Sequence, residues 1–338
     1  MAATLHDVAR VASVSIKTVS NVINDYPHIR PQTKQRVLDA IEELGYSPNM
    51  TARSLRSGRT GVIGLAVPEL SLSYFAELAD AVIKAADSRG VTVLIEQTDG
   101  DRKREIALLT SPRRQLTDGL LFSALGMGAD DAELLRVKYP LVLLGERIFG
   151  GPTDHVTMQN VDAARAATAH LIASGRRRIA VVGAHEGEVI GSAGLRLRGY
   201  REALDDAGIP FDPRLVSYTT LWHRANGAAS MRALLDSGVQ FDSVFGLNDT
   251  LALGAIRVLQ EVGLRVPVDV GVIGFDDIDE AKYSIPTLSS IDPGREHIAA
   301  TAVDVLLDRI AHPASAEAPR EIAAEFRVVE RESSRSSA

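Results

Sequence analysis

TLHDVARVASVSIKTVSNVINDYPHIRPQTKQRVLDAIEELG, residues 4–45, is helical in period from end to end, with no strand alternation. Thr4 can cap a first helix with Asp7 three residues on, and Leu5, Val8 and Ala9 supply its inward face. A tight turn at Ala12-Ser13-Val14 follows. Ser15 can then cap a second short helix whose Val19, Val22 and Ile23 face inward, leaving Ile16, Lys17, Ser20 and Asn21 free to point outward. Pro31 at a first helical position opens a third helix with Val37, Ala40, Ile41 and Leu44 as its apolar stripe, and Gly45 stops it. Two helices joined by a tight turn are also how many proteins present a recognition helix to the DNA major groove.

From Gly61 the rhythm changes. Short apolar runs (GVIGLAV, VTVLIE, GLLFSA, LVLLG, then RIAVVGA, LVSYT, SVFGLN, VGVIGF) alternate with amphipathic stretches of helix length. Runs apolar on both faces read as parallel strands buried between helix layers, so the body is a doubly wound α/β structure. The rhythm restarts after residues 150–160, which divides the body into two units. The final RESSRSSA, residues 331–338, is polar and reads as a disordered tail.

Composition narrows the function classes. The chain has 338 residues, 45% hydrophobic and 24% charged, which suits several globular units with ample cores. No apolar run is long enough to span a bilayer, and MAATLHDVAR lacks the pattern of a secretory leader, so a cytoplasmic protein without membrane partners is expected. The absence of cysteine removes disulfide frameworks, thiol nucleophiles and zinc fingers. Residues 1–60 hold eight basic and five acidic groups, a balance of +3, whereas the whole chain carries −7. A small basic head on an acidic body is the layout expected when one end meets a polyanion.

The segment from Thr4 to Gly58 resembles, over its whole length, the DNA-binding head and hinge of the LacI/GalR (lactose-repressor) family. The body continues the resemblance with SAGLRLRGY at 192–200, LNDTLALGAIRVLQEVGLRVPVDVGVIGFDD at 247–277 and PTLSSI at 286–291. The resemblance implies an N-terminal all-α helix-turn-helix head and an α/β periplasmic-binding-protein-like core of two Rossmann-like lobes joined by crossover strands. The expected limits are 1–48 for the head, 49–60 for a hinge helix, and 61–160 with 292–319 for lobe one. Lobe two takes 161–291 with 320–330.

Ile16 and Lys17 open the second helix, where lysine can donate to guanine and isoleucine can press on a thymine methyl. By resemblance these two and Asn21 read bases, although Lys17 on a phosphate is the alternative, since half or more of such hydrogen bonds go to the backbone. Thr18, Ser20, Tyr26 and His28 suit phosphates. The resemblance extends the DNA-contact set to Thr4, Ser15, Asn49, Ala52, Arg53 and Arg56, and places Leu55 as the hinge wedge that kinks the central minor-groove step. Many relatives carry Gly where this chain has Ser13 and Arg where it has Asn21.

In the body, polar residues ending the apolar runs are the ligand candidates, because open α/β folds bind ligands beyond the carboxyl ends of their strands. Asp276 can accept from sugar hydroxyls, cap a helix or pair with Arg196, the arginine that aligns with the family's ligand-binding position. Asn248 joins the same cleft, with Asp249 read as the cap of the next helix. Trp222, the single tryptophan, stacks on a ligand ring or packs in a core. Of Tyr74 and Phe75, one is expected to face the ligand. Glu146 either takes the role of an aspartate common in relatives or bridges to Arg147. HEGE at 185–188 reads as a solvated loop.

No catalytic motif and no metal-spaced histidine cluster is present, so neither an enzyme nor a cofactor is expected. The resemblance implies a homodimeric transcription repressor of carbohydrate-utilisation genes. Its partners would be a near-palindromic double-stranded operator and a small effector, most simply a sugar. A purine or nucleoside corepressor is the alternative, and a Rossmann-like enzyme a remoter one that leaves the head unexplained. No leucine-heptad tail follows the last strand, so a dimer is expected and not a coiled-coil tetramer.

Overall fold

A computed structural model describes residues 3–23, 26–46, 59–313 and 317–335. The chain divides into two compact units, residues 1–60 and 61–338.

The described residues of the first unit hold three helices, α1 (Leu5–Val11), α2 (Ile16–Ile23) and α3 (Pro31–Leu44). Thr4 and Asp7 form the reciprocal cap: the Asp7 amide donates to Thr4 Oγ1 and the Thr4 amide to Asp7 Oδ2. The Thr18 amide donates to Ser15 Oγ at 3.1 Å, which starts α2. Between them Ser13 sits at φ +51°, a left-handed turn position that glycine fills without strain. Gly45 closes α3 at φ +56°. Val8, Val19, Val22, Val37 and Ala40 are buried against one another, as their spacing predicts.

Lobe one of the second unit is a parallel sheet built on β1 (Val62–Val67), β2 (Thr92–Gln97), β3 (Leu120–Ser123), β4 (Leu141–Leu144), β5 (Asp154–Met158) and β11 (Glu321–Ala324). Their spatial order is β11-β5-β4-β3-β1-β2. Helices α4 (Ser73–Asp87), α5 (Arg102–Leu109) and α11 (Arg295–Ala311) accompany it. Lobe two is a four-stranded parallel sheet of β6 (Ile179–Ala184), β7 (Val216–Tyr218), β8 (Ser243–Gly246) and β9 (Gly271–Ile273), ordered β7-β6-β8-β9. Its helices are α6 (Asn160–Ala173), α7 (Ser192–Asp206), α8 (Arg224–Asp236), α9 (Asp249–Glu261) and the short α10 (Asp279–Tyr283). A separate antiparallel pair, β10 (Ser290–Asp292) with β12 (Arg327–Val329), lies where the chain crosses between lobes.

Each of the eight apolar runs contains a strand. β5, DHVTM, is an addition, because its charges hide its burial: all five residues are buried. Asp154 is held by Arg309 and Arg320, and His155 reaches the Gly145 carbonyl. Two boundaries need correction. Residues 321–324, expected in lobe two, pair in register with β5 and so complete the lobe-one sheet. The expected disordered tail is ordered as far as Arg335. Ser333 and Ser334 are buried: Ser333 accepts from the Ser289 amide and donates to the Val272 carbonyl, and Arg331 pairs with Asp277 at 2.6 Å. Among the described residues no helix is long and apolar enough to cross a membrane.

Candidate functional site

The carboxyl ends of both parallel sheets open into one cavity of about 180 Å³ between the lobes. Tyr74, Phe75, Glu146, Arg196, Trp222, Asn248 and Asp276 all line it. Lobe one contributes Tyr74 and Phe75 from the first turn of α4 and Glu146 from just beyond β4. Both aromatic rings face the cavity, edge to face at 5.2 Å, where only one was expected.

Arg196 projects from α7 and is almost wholly buried. Its Nε donates to Asn160 Oδ1 at 2.7 Å, its Nη1 to the Leu247 carbonyl at 2.5 Å, and its Nη2 lies 3.6 Å from Asp276 Oδ1. The guanidinium stacks 3.5 Å over the Phe275 ring and 5.2 Å from that of Trp222. Burial pulls its pKa down, against the carboxylates of Asp276 and Glu146.

Asp276 sits at φ +112°, a strained position for an aspartate and one that concentrates at ligand sites. Its amide donates to the Ile291 carbonyl and its own carbonyl accepts from Arg295, so the backbone is clamped and the carboxylate points to the cavity. Burial pushes its pKa up to about 7, with Arg196 and Arg295 restraining the rise. Burial likewise raises the pKa of the Tyr74 phenol, and Glu146 and Asp276 add to the rise, so the hydroxyl keeps its proton.

Trp222 is fixed by Nε1 donating to the Gly183 carbonyl at 2.8 Å, while its own carbonyl receives Thr250 Oγ1 and Asn248 Nδ2. Asn248, not Asp249, caps α9: its Oδ1 accepts from the Leu251 amide at 2.8 Å. The expected cap Asp249 is instead buried beneath the cavity, where Ser290 Oγ at 2.6 Å and the Ile278 amide donate to it. Burial raises its pKa well above the carboxylate range, with Asp276 adding to the effect.

HEGE is solvated at Glu186 and Gly187 but not at its ends. Glu188 gathers the Ala193 and Gly194 amides at the start of α7, His185 Nδ1 at 2.9 Å and Arg147 Nη1 at 3.0 Å. Burial would raise the Glu188 carboxyl, but these donors hold it below its ordinary value. Arg147 is thereby taken by Glu188 and not by Glu146. An acidic side chain just before a helix start was the available signal for Glu188.

Glu146 Oε2 accepts from Ser192 Oγ across the cleft at 2.7 Å, and its Oε1 is buried without a hydrogen-bond partner among the described residues. Further links join the rims: Ser73 Oγ to Glu280 at 2.7 Å, the Asp279 amide to Glu77 at 2.9 Å, and His223 to Glu69 at 3.2 Å.

In the head, Lys17, Ser15, Thr4, Tyr26 and His28 are exposed, and Thr18, Ser20 and Asn21 are half-buried. Ile16 is also half-buried because part of it packs on the head's own core. The Tyr26 and His28 rings meet edge to face at 5.5 Å. Asn49, Ala52, Arg53, Leu55 and Arg56 lie outside the described residues.

Comparison with known proteins agrees with this arrangement. Residues 4–49 match the lacI family of bacterial regulatory proteins, and residues 168–334 match the periplasmic binding protein-like domain. The ribose operon repressor of Escherichia coli K12 is 33% identical, with 92% of this chain and 94% of the relative covered. The structure of a LacI-family protein from Sanguibacter keddieii is 52% identical, with a TM-score of 0.77 over 82% of this chain and 99% of that one. The lac repressor dimer bound to its operator and an anti-inducer is 27% identical, with a TM-score of 0.81 over 99% of each chain. With a regulatory-protein head, a two-lobed binding core and relatives aligned over nearly the full length, the chain belongs to the LacI family of bacterial DNA-binding transcriptional regulators.

Proposed function

We propose that this regulator represses carbohydrate-utilisation genes and that a small sugar in the interlobe cleft sets its hold on the operator. The observation that carries the reading is the cleft itself. Trp222, Phe75 and Tyr74 line it together with the carboxylates of Glu146 and Asp276, a lining that suits the apolar face and the hydroxyls of a sugar ring. The ribose operon repressor, by its name, serves a sugar operon, which supports the same class of effector.

Two heads of a homodimer would read the half-sites of a near-palindrome. In this reading Ile16, Lys17 and Asn21 meet base edges, and Thr4, Ser15, Thr18, Ser20, Tyr26 and His28 the backbone. Asn49, Ala52, Arg53, Leu55 and Arg56 supply the hinge contacts by resemblance alone. A ligand acts only through its differential affinity for the closed and open cleft, so an effector that favours the operator-competent form is a corepressor and the opposite an inducer.

The test is selection of duplexes from a random pool by the purified protein, with and without neutral sugars. An enriched near-palindrome whose retention changes with a sugar supports the reading. Enrichment that responds to purines and to no sugar would replace the effector class, and no enrichment under any condition would overturn the operator.

A further inference from the structure

The cleft is short of cations. Arg196 faces Asp276 at 3.6 Å, Arg147 is paired with Glu188 at 3.0 Å, and Arg295 with Glu77 at 2.5 Å. Glu146 is the carboxylate left over. It is 6% exposed, takes one hydroxyl bond from Ser192, forms no ion pair among the described residues, and keeps Oε1 buried and unmatched on the wall of the cavity. Among the described residues the Asp276 carboxylate accepts no hydrogen bond, and Arg196 lies 3.6 Å from it. Tyr74, held protonated, and Thr157, whose buried Oγ1 has no partner among the described residues, add hydroxyls able to donate or accept. His185, whose Nδ1 donates to Glu188, also keeps its Nε2 buried on the cavity wall without a partner among the described residues. The carboxylates of Glu146 and Asp276 nevertheless make the surplus charge of the cavity negative and supply its strongest free acceptors.

From this geometry we infer that Glu146 is a specificity-determining residue that admits an uncharged, hydroxyl-donating sugar and rejects its phosphorylated and acidic counterparts. The inference rests on the reading of the cleft as a sugar site and adds the charge class of the sugar. Adjacent ring hydroxyls can donate to Glu146 Oε1 and to Asp276, satisfying two buried acceptors at once. A phosphate or carboxylate would bring further acceptors and like charge against Glu146, with no unpaired arginine or lysine among the described lining residues to receive it, a repulsive element of the kind that builds selectivity.

The experiment is calorimetric titration of the full chain with matched sets: ribose against ribose 5-phosphate, glucose against glucose 6-phosphate and glucuronate, galactose against galacturonate. At least one neutral sugar is expected to bind about tenfold or more tightly than its own charged counterparts. Glu146→Gln keeps the shape, removes the charge, and is expected to weaken the neutral sugar and narrow that ratio. A charged counterpart that binds as well as the neutral sugar, an unchanged ratio in a folded Glu146→Gln protein, or no binding by any neutral sugar overturns the inference. If the variant does not fold, the ratio in the unaltered protein decides. Operator selection without ligand is run beside it: loss of operator recognition with sugar selectivity intact would sink the repressor reading and leave this one standing.

Discussion

Ser192 at the first position of α7 donates its hydroxyl to Glu146 just beyond β4, 2.7 Å away on the opposite lobe. This bond ties the helix that carries Arg196 to the carboxylate facing the ligand cavity, so cleft closure and ligand sensing share one atom group. A hydrogen bond to an ionised acceptor contributes about 1.5–3 kcal/mol. Ser192→Ala should therefore shift the closed-to-open balance by about ten- to a hundredfold and weaken effector binding by a comparable factor. Emission of Trp222, the single tryptophan, reports the cleft, and solution scattering reports its opening. Identical scattering and effector affinity in the two proteins would show that the bond does not set closure.

Asp276 gives the cleft a pH response. Burial lifts its folded-state pKa from 3.8 to about 7, so between those values the folded chain holds more of this proton than the unfolded one. Its contribution to stability accordingly falls as pH rises through that window and is level above it. Hydroxyls bond more strongly to the ionised carboxylate than to the neutral acid, so effector affinity should rise from pH 6 to pH 8. Asp276→Asn should flatten that dependence, and affinity curves against pH for both proteins check it. A parallel rise in the variant would assign the response to another group.

Much of this arrangement is legible in the sequence, and the failures have physical reasons. Helical spacing and caps specify the head, and apolar runs identify eight strands, because both signals are local. All seven ligand candidates reach the cavity: Glu146, Asn248 and Asp276 because residues just beyond parallel strands lie near the switch point, and Arg196 and Trp222 where the family resemblance places them. DHVTM hides as a strand because Asp154 is neutralised by Arg309 and Arg320, more than 150 residues away in sequence. The lobe of residues 321–324 is set by register against β5, which no local pattern encodes. The swap of Asn248 and Asp249 is a shift of one residue at a helix start, where local propensity favours both equally.

Lys17 stands exposed at the opening of α2, so its role is decided by DNA and not by the head's own packing. If it reads a base, Lys17→Ala should relax discrimination at one position of each half-site, costing about 1–3 kcal/mol against the preferred base there. If it holds a phosphate, affinity should fall uniformly across sequences and the slope of binding against salt should drop by about one. Selection from a random pool at two salt concentrations separates the two, and base readout is the expected result.

Gly199 is where α7 crosses α6. A Cβ built on it would lie 2.1 Å from the Val161 carbonyl oxygen and 2.9 Å from the Arg165 amide, both main-chain atoms that cannot rotate aside. Gly199→Ala must push the helices apart, at a cost of about 1–3 kcal/mol for overpacking. Arg196 lies one turn earlier on the same helix, held at 2.5 Å from the Leu247 carbonyl, so the displacement should loosen the arginine as well as lower the melting temperature. The paired control is Gly128→Ala, at φ −137° with open space around its Cβ, which should melt like the unaltered protein. A Gly199→Ala protein that matches this control in both melting temperature and effector affinity would mean that the two helices can part there without cost.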